Sequence, residues 1–377
     1  MTLPFRDYHL LKILDLHQEK PTPIDRLLAD YFHANRAIGS KDRKEIADTL
    51  YGLIRWQGLV DTFCSPPITW EERIKVWRKI NPLDYLDDPS IPLHCRVSFP
   101  SSLFTLLVDA YGEEKAIAFA LASNTQAPIT VRANLLKTTR EALLATWQKN
   151  YPVSATQHST WGIHYAKKVP FFTFPEFKAG LFEVQDEGSQ LLSDLVTPKR
   201  KDKVLDWCAG SGGKTLAFAP KLEGTGQIYL HDIRPYILQE AKKRLKRAGI
   251  QNAQIILPDS PNLQNIKGKM DWIIVDAPCS GTGTLRRNPD MKWKFTEELL
   301  NRLVQQQREI FSEALTYLAP KGKIVFATCS LLPQENQEQM AYFMETHNLK
   351  PTSPPFQSLP EEGGMDAFFG VVLEPVR

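Results

Sequence analysis

Two cysteines are the residues whose type and setting best suit chemistry. Cys279 follows the apolar run Trp272–Val275 within DWIIVDAPCSGTGTLRRNPDMKW, and Cys329 ends the apolar run of KIVFATCS. Short apolar, β-branched runs bounded by turn residues predict strands buried on both faces, as in a parallel sheet. Each run then delivers a thiol at a strand's carboxyl end, and in doubly wound α/β folds the ligand crevice lies outside those ends. Neighbouring strands lie about 5 Å apart, so the two sulfurs would look into one cavity. A thiolate attacks electrophilic carbon, and a second thiol beside it can exchange a proton. Free cysteines are also common core residues, which one cysteine alone would not distinguish. Two at matching strand ends argue for a crevice.

The elements that must position them alternate. Strands are predicted at Val204–Trp207, Gln227–His231, Gln254–Leu257, Trp272–Val275 and Lys323–Thr328. Helices are predicted at Thr215–Pro220, Pro235–Ala248, Glu297–Leu318 and Gln334–Thr346. That order predicts a doubly wound, Rossmann-like α/β domain over 181–377. Ahead of it, 96–180 reads as a small α+β module. It has a helix from Phe99 to about Ser123, a strand at Ile129–Leu135 and a helix near Arg140–Asn150. The cluster Phe171, Phe172, Phe174 and Phe177 is expected to be buried packing rather than an RNA-stacking surface. Residues 1–95 read as an all-α domain with a proline-rich connector, because Leu10, Leu11, Leu14 and later Ile46, Leu50, Leu53, Ile54 recur at helical spacing. Pro21 and Pro23 separate the first two helices, and Ser40 stands at an N-cap position.

Composition excludes several classes. At 377 residues, with 42% hydrophobic and 24% charged residues, the chain has the makings of a folded core in two or three domains. Five cysteines without a CxxC pair fit neither a disulfide framework nor a zinc site, so a reducing cytoplasm and no metal are expected. The N-terminus carries Asp7, Asp15 and Glu19 and is no signal peptide, and no apolar run approaches the roughly 20 residues of a membrane span. A monomer is expected. Net charge is +3, unevenly distributed. After Leu331 the acids Glu335, Glu338, Glu345, Glu361, Glu362, Asp366 and Glu374 face only Lys350 and Arg377, leaving the remainder basic. Basic clusters at Lys199–Lys203, Lys242–Arg247 and Arg286–Lys294 point to a polyanion partner, with a solvated helix face as the alternative for Lys242–Arg247.

The first α/β strand runs into LDWCAGSGGKT. Glycines there let the backbone approach a ligand, and the following helix offers unpaired N–H groups. A Walker A loop needs glycine where Cys208 stands, and a dinucleotide fingerprint needs a small residue at Thr215. S-adenosylmethionine is the remaining reading. Asp232, closing the second strand, suits the ribose hydroxyls. Asp259, after the third, suits the adenine amino group or a plain turn.

Thiols beside a methyl donor suggest cytosine. Its carbon 5 is a poor nucleophile until a thiolate adds at carbon 6 and the resulting enamine attacks the sulfonium methyl. The proton at carbon 5 must then leave and the thiol be expelled. Asp276 could bond the base edge or the cofactor, or simply cap the loop.

Here the motifs carry a resemblance. DAPCSGTG (276–283), ATCS (327–330), CAGSGGKT (208–215) and QDEGSQLL (185–192) together resemble the Sun/Nop family of RNA cytosine-5 methyltransferases. The similarity spans roughly Phe99–Arg377. TLRRNPDMKW is similar to the bacterial ribosomal, RsmB-type branch, and DRLLADYFHANRAIGSKDRKEIADTLYGLIRWQGLVD resembles the NusB-type RNA-binding domain that this branch carries. The resemblance implies that Cys329 attacks and Cys279 serves product release, roles that spacing alone leaves open. It implies that Cys208, Ala209, Gly210, Ser211, Gly212, Gly213, Lys214, Asp232, Asp259 and Asp276 line the cofactor site. It also implies a small-subunit ribosomal RNA substrate, with transfer RNA as the alternative. Arg286, Arg287, Lys292 and Lys294, next along the chain, are expected to grip backbone phosphates, and Trp293 to anchor the loop in a core. Two departures stand out. Gly210-Ser211 replaces the family's usual Ala-Pro, predicting a looser turn with the cofactor retained, and the connector through Cys95 is shorter and richer in proline. A non-catalytic RNA-binding factor would not need both cysteines, and a DNA cytosine methyltransferase would attack with Cys279.

Overall fold

The structure, a computed structural model, describes residues 3–19 and 22–376. They form two units. One comprises the chain up to Gln126 together with Thr284–Glu297. The other comprises Ala127–Gly283 and the chain from Glu298 onward.

The first unit is helical. Leu10, Ile13 and Leu14 of helix Phe5–Glu19 and Ile46, Leu50, Leu53 and Ile54 of helix Ser40–Arg55 meet in one core, as their three- and four-residue spacing dictates. Pro21 lies outside the described residues, and Pro23 immediately precedes helix Ile24–Ala34. Ser40 is the first helical residue rather than the N-cap, a place that Gly39 takes. The helical stretch expected to open the α+β module is two helices, Ser101–Tyr111 and Glu113–Ser123, broken at Gly112, and both group with this unit. Into the same unit fits the segment that follows the Cys279 loop. Lys292 Nζ donates to the Arg55 carbonyl oxygen and to Asn124 Oδ1, each at 2.7 Å, and Trp293 Nε1 donates to the Ile54 carbonyl oxygen at 2.8 Å.

The second unit holds two sheets. The smaller is antiparallel, of β1 (Ile129–Ala133), β2 (Val153–Ala155), β3 (Gly162–Tyr165) and β4 (Phe182–Val184) in the order β2-β3-β1-β4. Helix Arg140–Trp147, capped by Thr139, packs Leu143 and Trp147 with Val131, Tyr165, Phe171, Phe174 and Phe182. Phe171 and Phe174 are buried as expected, whereas Phe172 is 70% exposed.

The larger sheet contains β5 (Lys203–Asp206), β6 (Gln227–His231), β7 (Ala253–Ile256), β8 (Met270–Asp276), β9 (Leu318–Thr328), β10 (Leu349–Pro351), β11 (Phe356–Gln357) and β12 (Phe369–Pro375). Its order is β10-β12-β9-β8-β5-β6-β7, with β11 beside β12. The five strands from β9 to β7 are parallel, and β12 runs antiparallel to β9. Alternate residues serve two cores. Leu205, Ile273, Val275, Ile324 and Phe326 face one side, and Val204, Trp272, Ile274 and Val325 the other. The chain builds outward from β5 to β7 and then returns to β8 on β5's other side. The strand order therefore reverses at β5/β8, where such folds open a crevice. No helix among the described residues is long and apolar enough to cross a membrane.

Candidate active site

β8 and β9 pair in parallel with Asp276 opposite Ala327, so both thiols emerge just past matching strand ends. Cys279 Sγ and Cys329 Sγ are 3.4 Å apart, in contact without a bond, and the Cys329 N–H points at the Cys279 sulfur from 3.4 Å. Several bonds fix this geometry. Ala277 N–H donates to the Ala327 carbonyl oxygen at 3.0 Å and Gly283 N–H to that of Cys329 at 2.9 Å. Gly283 has to be glycine, because a Cβ there would collide with the Ala367 carbonyl oxygen. Below the loop, the fully buried Glu335 accepts from Ser280 N–H (2.9 Å), the Ser280 hydroxyl and Gln307 Nε2 (2.9 Å), and Gln307 Nε2 also donates to the Pro278 carbonyl oxygen at 3.0 Å. Thr282 Oγ1 accepts from Leu331 N–H at 2.9 Å.

This support was not visible in the sequence, where Glu335 counts as one acid of a polar tail. Glu335 and Asp366 are both fully buried. A surplus of charge in a segment says nothing about which of its carboxylates turn inward.

The cofactor loop lies beside the thiols. Lys214, at the start of helix Gly213–Phe218, forms an ion pair with Asp276 at the end of β8. Burial pulls the Lys214 pKa down, but the charge and hydrogen bond of Asp276, followed by the charge of Cys329, raise it above its ordinary value. The Cys279 thiol is pushed well up, first by its hydrogen bond with Cys329, then by burial and by the charges of Cys329 and Glu335. Cys208 packs against the sheet core, and burial followed by the charges of Asp276, Asp206 and Asp232 drives its thiol up, so its side chain stays neutral. Ala209 N–H ties the loop to the His231 carbonyl oxygen at 2.9 Å.

The residues fit a nucleoside-bearing cofactor. Gly210 (φ 51°) and Gly212 (φ 77°) hold left-handed conformations, and a Cβ on Gly210 or Gly213 would meet open space, which leaves room for a ligand against the backbone. Asp232, 3% exposed, accepts from Gly210 N–H at 2.9 Å and from the backbone and guanidinium of Arg234. Burial raises its carboxyl, but these bonds bring it net below the usual carboxylate range. Since the Arg234 side chain is half exposed, ribose hydroxyls can take the acceptor positions that it holds. Asp206 keeps one buried oxygen without a hydrogen-bond partner among the described residues. Burial pushes its pKa to about 7 against the lowering bond from Thr215. Asp259 is exposed, three residues beyond the end of β7. Sequence reading missed Ile233 and Leu257, 72% and 45% exposed beside Asp232 and Asp259, whose apolar surfaces suit the faces of a purine. Their signal is an apolar side chain at a strand's carboxyl end next to an acid. Two surface concavities, of about 620 and 560 Å³, lie away from the thiols, one beside β7 and one beside Phe356.

The expectation for the basic arm needs correction. Arg286 is 2% and Lys292 1% exposed, so neither can grip a phosphate. Burial, followed by the charge of Arg55, drops the Lys292 pKa well below the ordinary ammonium value, as befits a lysine whose partners are a carbonyl and an amide. Arg287 and Lys294 are exposed, and Lys294 pairs with Asp290 at 2.6 Å. Trp293 packs against the helical core, as expected. Replacing Lys292 with alanine removes packing against the Phe99 and Trp293 rings and strands two acceptors. We expect it to cost about 2–3 kcal/mol of stability, read as a lower denaturation midpoint, while the salt dependence of RNA binding stays unchanged.

Comparison with known proteins agrees with this geometry. The family described as 16S rRNA methyltransferase RsmB/F matches residues 193–370, and the RsmF/B-like ferredoxin-like domain matches residues 99–171. The second match begins before Ala127, whereas packing joins residues 99–126 to the helical unit. Ribosomal RNA small subunit methyltransferase B of Vibrio vulnificus (strain YJ016) is 35% identical over 284 residues, 73% of this chain and 66% of its own length. The probable ribosomal RNA small subunit methyltransferase B of Synechocystis is 30% identical over 266 residues, 70% of this chain and 60% of its own length. The match thus spans just under two thirds of these relatives. Among solved structures, PH0851 superposes over 99% of both chains with a TM-score of 0.81 at 21% identity. NSun6 from Pyrococcus horikoshii with SFG covers 74% of this chain and 99% of its own, with a TM-score of 0.66 at 19% identity. At such identities these two speak for the fold alone. The sheet order, the glycine loop and the paired thiols thus have a family to stand in, and the chain belongs to the RsmB/F methyltransferases.

Proposed function

We propose that this chain methylates carbon 5 of a cytosine in small-subunit ribosomal RNA, through a transient bond between Cys329 and carbon 6. The observation that carries this reading is the contact between the two thiols beside the Lys214–Asp276 pair. S-adenosylmethionine, when bound, supplies an electrophilic methyl group. Gly210 to Lys214, Asp232 and Asp276 hold it, with Asp259 towards the adenine end.

Cys279, whose thiol is pushed well up, keeps its proton, and Cys329, whose charge acts on the Lys214 ammonium, is the attacking sulfur. Its thiolate adds to carbon 6 of the base, the 5,6 double bond opens, and carbon 5 becomes nucleophilic enough to accept methyl. Carbon 5 then gives its proton to a base, the carbon 6–sulfur bond breaks, and the thiolate returns. Bonding of Cys329 to carbon 6 takes away the thiolate charge that helps hold the Cys279 proton, so that proton passes to solvent and the Cys279 thiolate, the base within reach of Cys329, accepts the one from carbon 5. Asp276 orients the cytosine edge and holds Lys214 charged. A base enclosed by such a site has to leave its stack, so an unpaired or flipped nucleotide is the form bound. RNA as partner and cytoplasm as compartment follow from this reading.

Bisulfite sequencing of total RNA from cells with and without the gene tests it. We expect one or more 5-methylcytidines in small-subunit ribosomal RNA to vanish with the gene. Loss confined to transfer RNA would move the substrate, and no loss anywhere would defeat the reading.

A further inference from the structure

The cofactor loop is held from outside by a side chain of the neighbouring helix. Arg244, on helix Pro235–Ala248, donates through Nη1 to the Ser211 carbonyl oxygen at 3.0 Å and to Ser211 Oγ at 2.6 Å. Its Nη2 donates to Glu183 Oε2 at 3.1 Å, and the other Glu183 oxygen accepts from Arg247. Glu183 is 5% exposed on β4 of the small sheet, with the buried Arg132 as its cross-strand partner on β1. One carboxylate of the small sheet thus fixes the guanidinium that reaches the loop.

Ser211 stands between two glycines in left-handed conformations, a stretch with little steric restraint of its own. Its shape is set by what it is bonded to. Gly210 is held through Asp232 and Ser211 through Arg244. The helix is also docked by bonds that do not involve Arg244. Asn134 Nδ2 donates to the Ala248 carbonyl oxygen at 2.9 Å, Lys137 Nζ donates to that of Arg247 at 2.7 Å, and Arg247 keeps its own bond to Glu183. A planar fork suits this task, since its two amino groups meet the loop and the carboxylate in one fixed geometry.

We propose that Glu183 and Arg244 are positioning residues for the methyl-donor loop, with Glu183 of the small sheet orienting Arg244 so that it keeps Ser211 and its neighbours in the receptive shape. The looseness expected of Gly210-Ser211 is offset by this tether. The inference rests on S-adenosylmethionine being the cofactor and is independent of which base is methylated.

The test titrates S-adenosylmethionine calorimetrically into the full chain, the Ser211→Ala and Arg244→Met variants and their double variant. Amide exchange over 208–214 is followed in parallel before any cofactor is added. A lost hydrogen bond of this kind predicts affinity weaker by about threefold in Ser211→Ala and about tenfold in Arg244→Met. The double variant should be no weaker than Arg244→Met alone, and the loop amides should exchange faster in both single variants. Glu183→Gln should weaken binding in the same direction, but not once Arg244 is gone. Ser211→Ala removes no ion pair and keeps the test decisive should Arg244→Met fail to fold. Unchanged affinity and loop exchange in the folded variants, or losses that simply multiply, would overturn the positioning role. Failure of the unaltered chain to bind S-adenosylmethionine would overturn the cofactor assignment, and this role with it.

Discussion

Cys279→Ala is expected to leave the protein covalently attached to its RNA, visible as a slow-migrating species on a denaturing gel, whereas Cys329→Ala forms none. The two sulfurs are 3.4 Å apart at the ends of adjacent strands, yet their surroundings differ. Cys279 keeps its proton under the influence of Cys329, burial and Glu335, and Lys214 answers electrostatically to Cys329. Removing the attacking sulfur should lower methyl transfer by at least about 10⁴-fold, as loss of a covalent nucleophile does elsewhere. Removing its neighbour leaves addition and methyl transfer possible but takes away the acceptor for the carbon 5 proton. Turnover should then drop by about 10²-fold or more while the adduct accumulates. An adduct in Cys329→Ala and none in Cys279→Ala would exchange the two roles.

The next largest effect is expected from Lys214→Met. An ammonium within ion-pair range of Asp276 and in the field of Cys329 favours the ionised sulfur. Without it the charge of Glu335, which already raises the neighbouring Cys279 thiol, opposes a thiolate unanswered. Loss of that positive charge disfavours the attacking thiolate, and the rising limb of the pH–rate profile moves to alkaline pH. At neutral pH single-turnover methyl transfer should fall by about 10–10²-fold and recover towards the unaltered rate as pH rises. A profile that stays in place, or moves to acid pH, would remove Lys214 from the ionisation of Cys329.

What could be read from the sequence was what local pattern encodes. Gln227–His231 and Pro235–Ala248 have the bounds their periodicity predicts, because a buried parallel strand and an amphipathic helix each write their burial into consecutive residues. The matched cysteines were visible for the same reason, since each closes such a strand. What escaped depends on partners distant in sequence. MKW reads as part of a basic, exposed arm, yet Lys292 is buried on acceptors at Arg55 and Asn124. Glu335 reads as tail charge, yet it anchors the Cys279 loop through Ser280 and Gln307. The strands β10 to β12 went unremarked because Leu349–Pro351 and Phe356–Gln357 are too short for a period-two signal, and Phe369–Pro375 lies in a stretch that its acids made look solvent-facing.

The chemistry itself can be frozen. RNA in which the target cytosine carries fluorine at carbon 5 offers no proton for elimination, so a thiolate that has added at carbon 6 stays bonded after methyl transfer. Incubating the unaltered protein with such RNA and S-adenosylmethionine, digesting both and sequencing the adduct by mass spectrometry should find the methylated nucleotide on the peptide containing Cys329. A nucleotide on the Cys279 peptide, or no adduct despite methylation of ordinary RNA, would contradict the account.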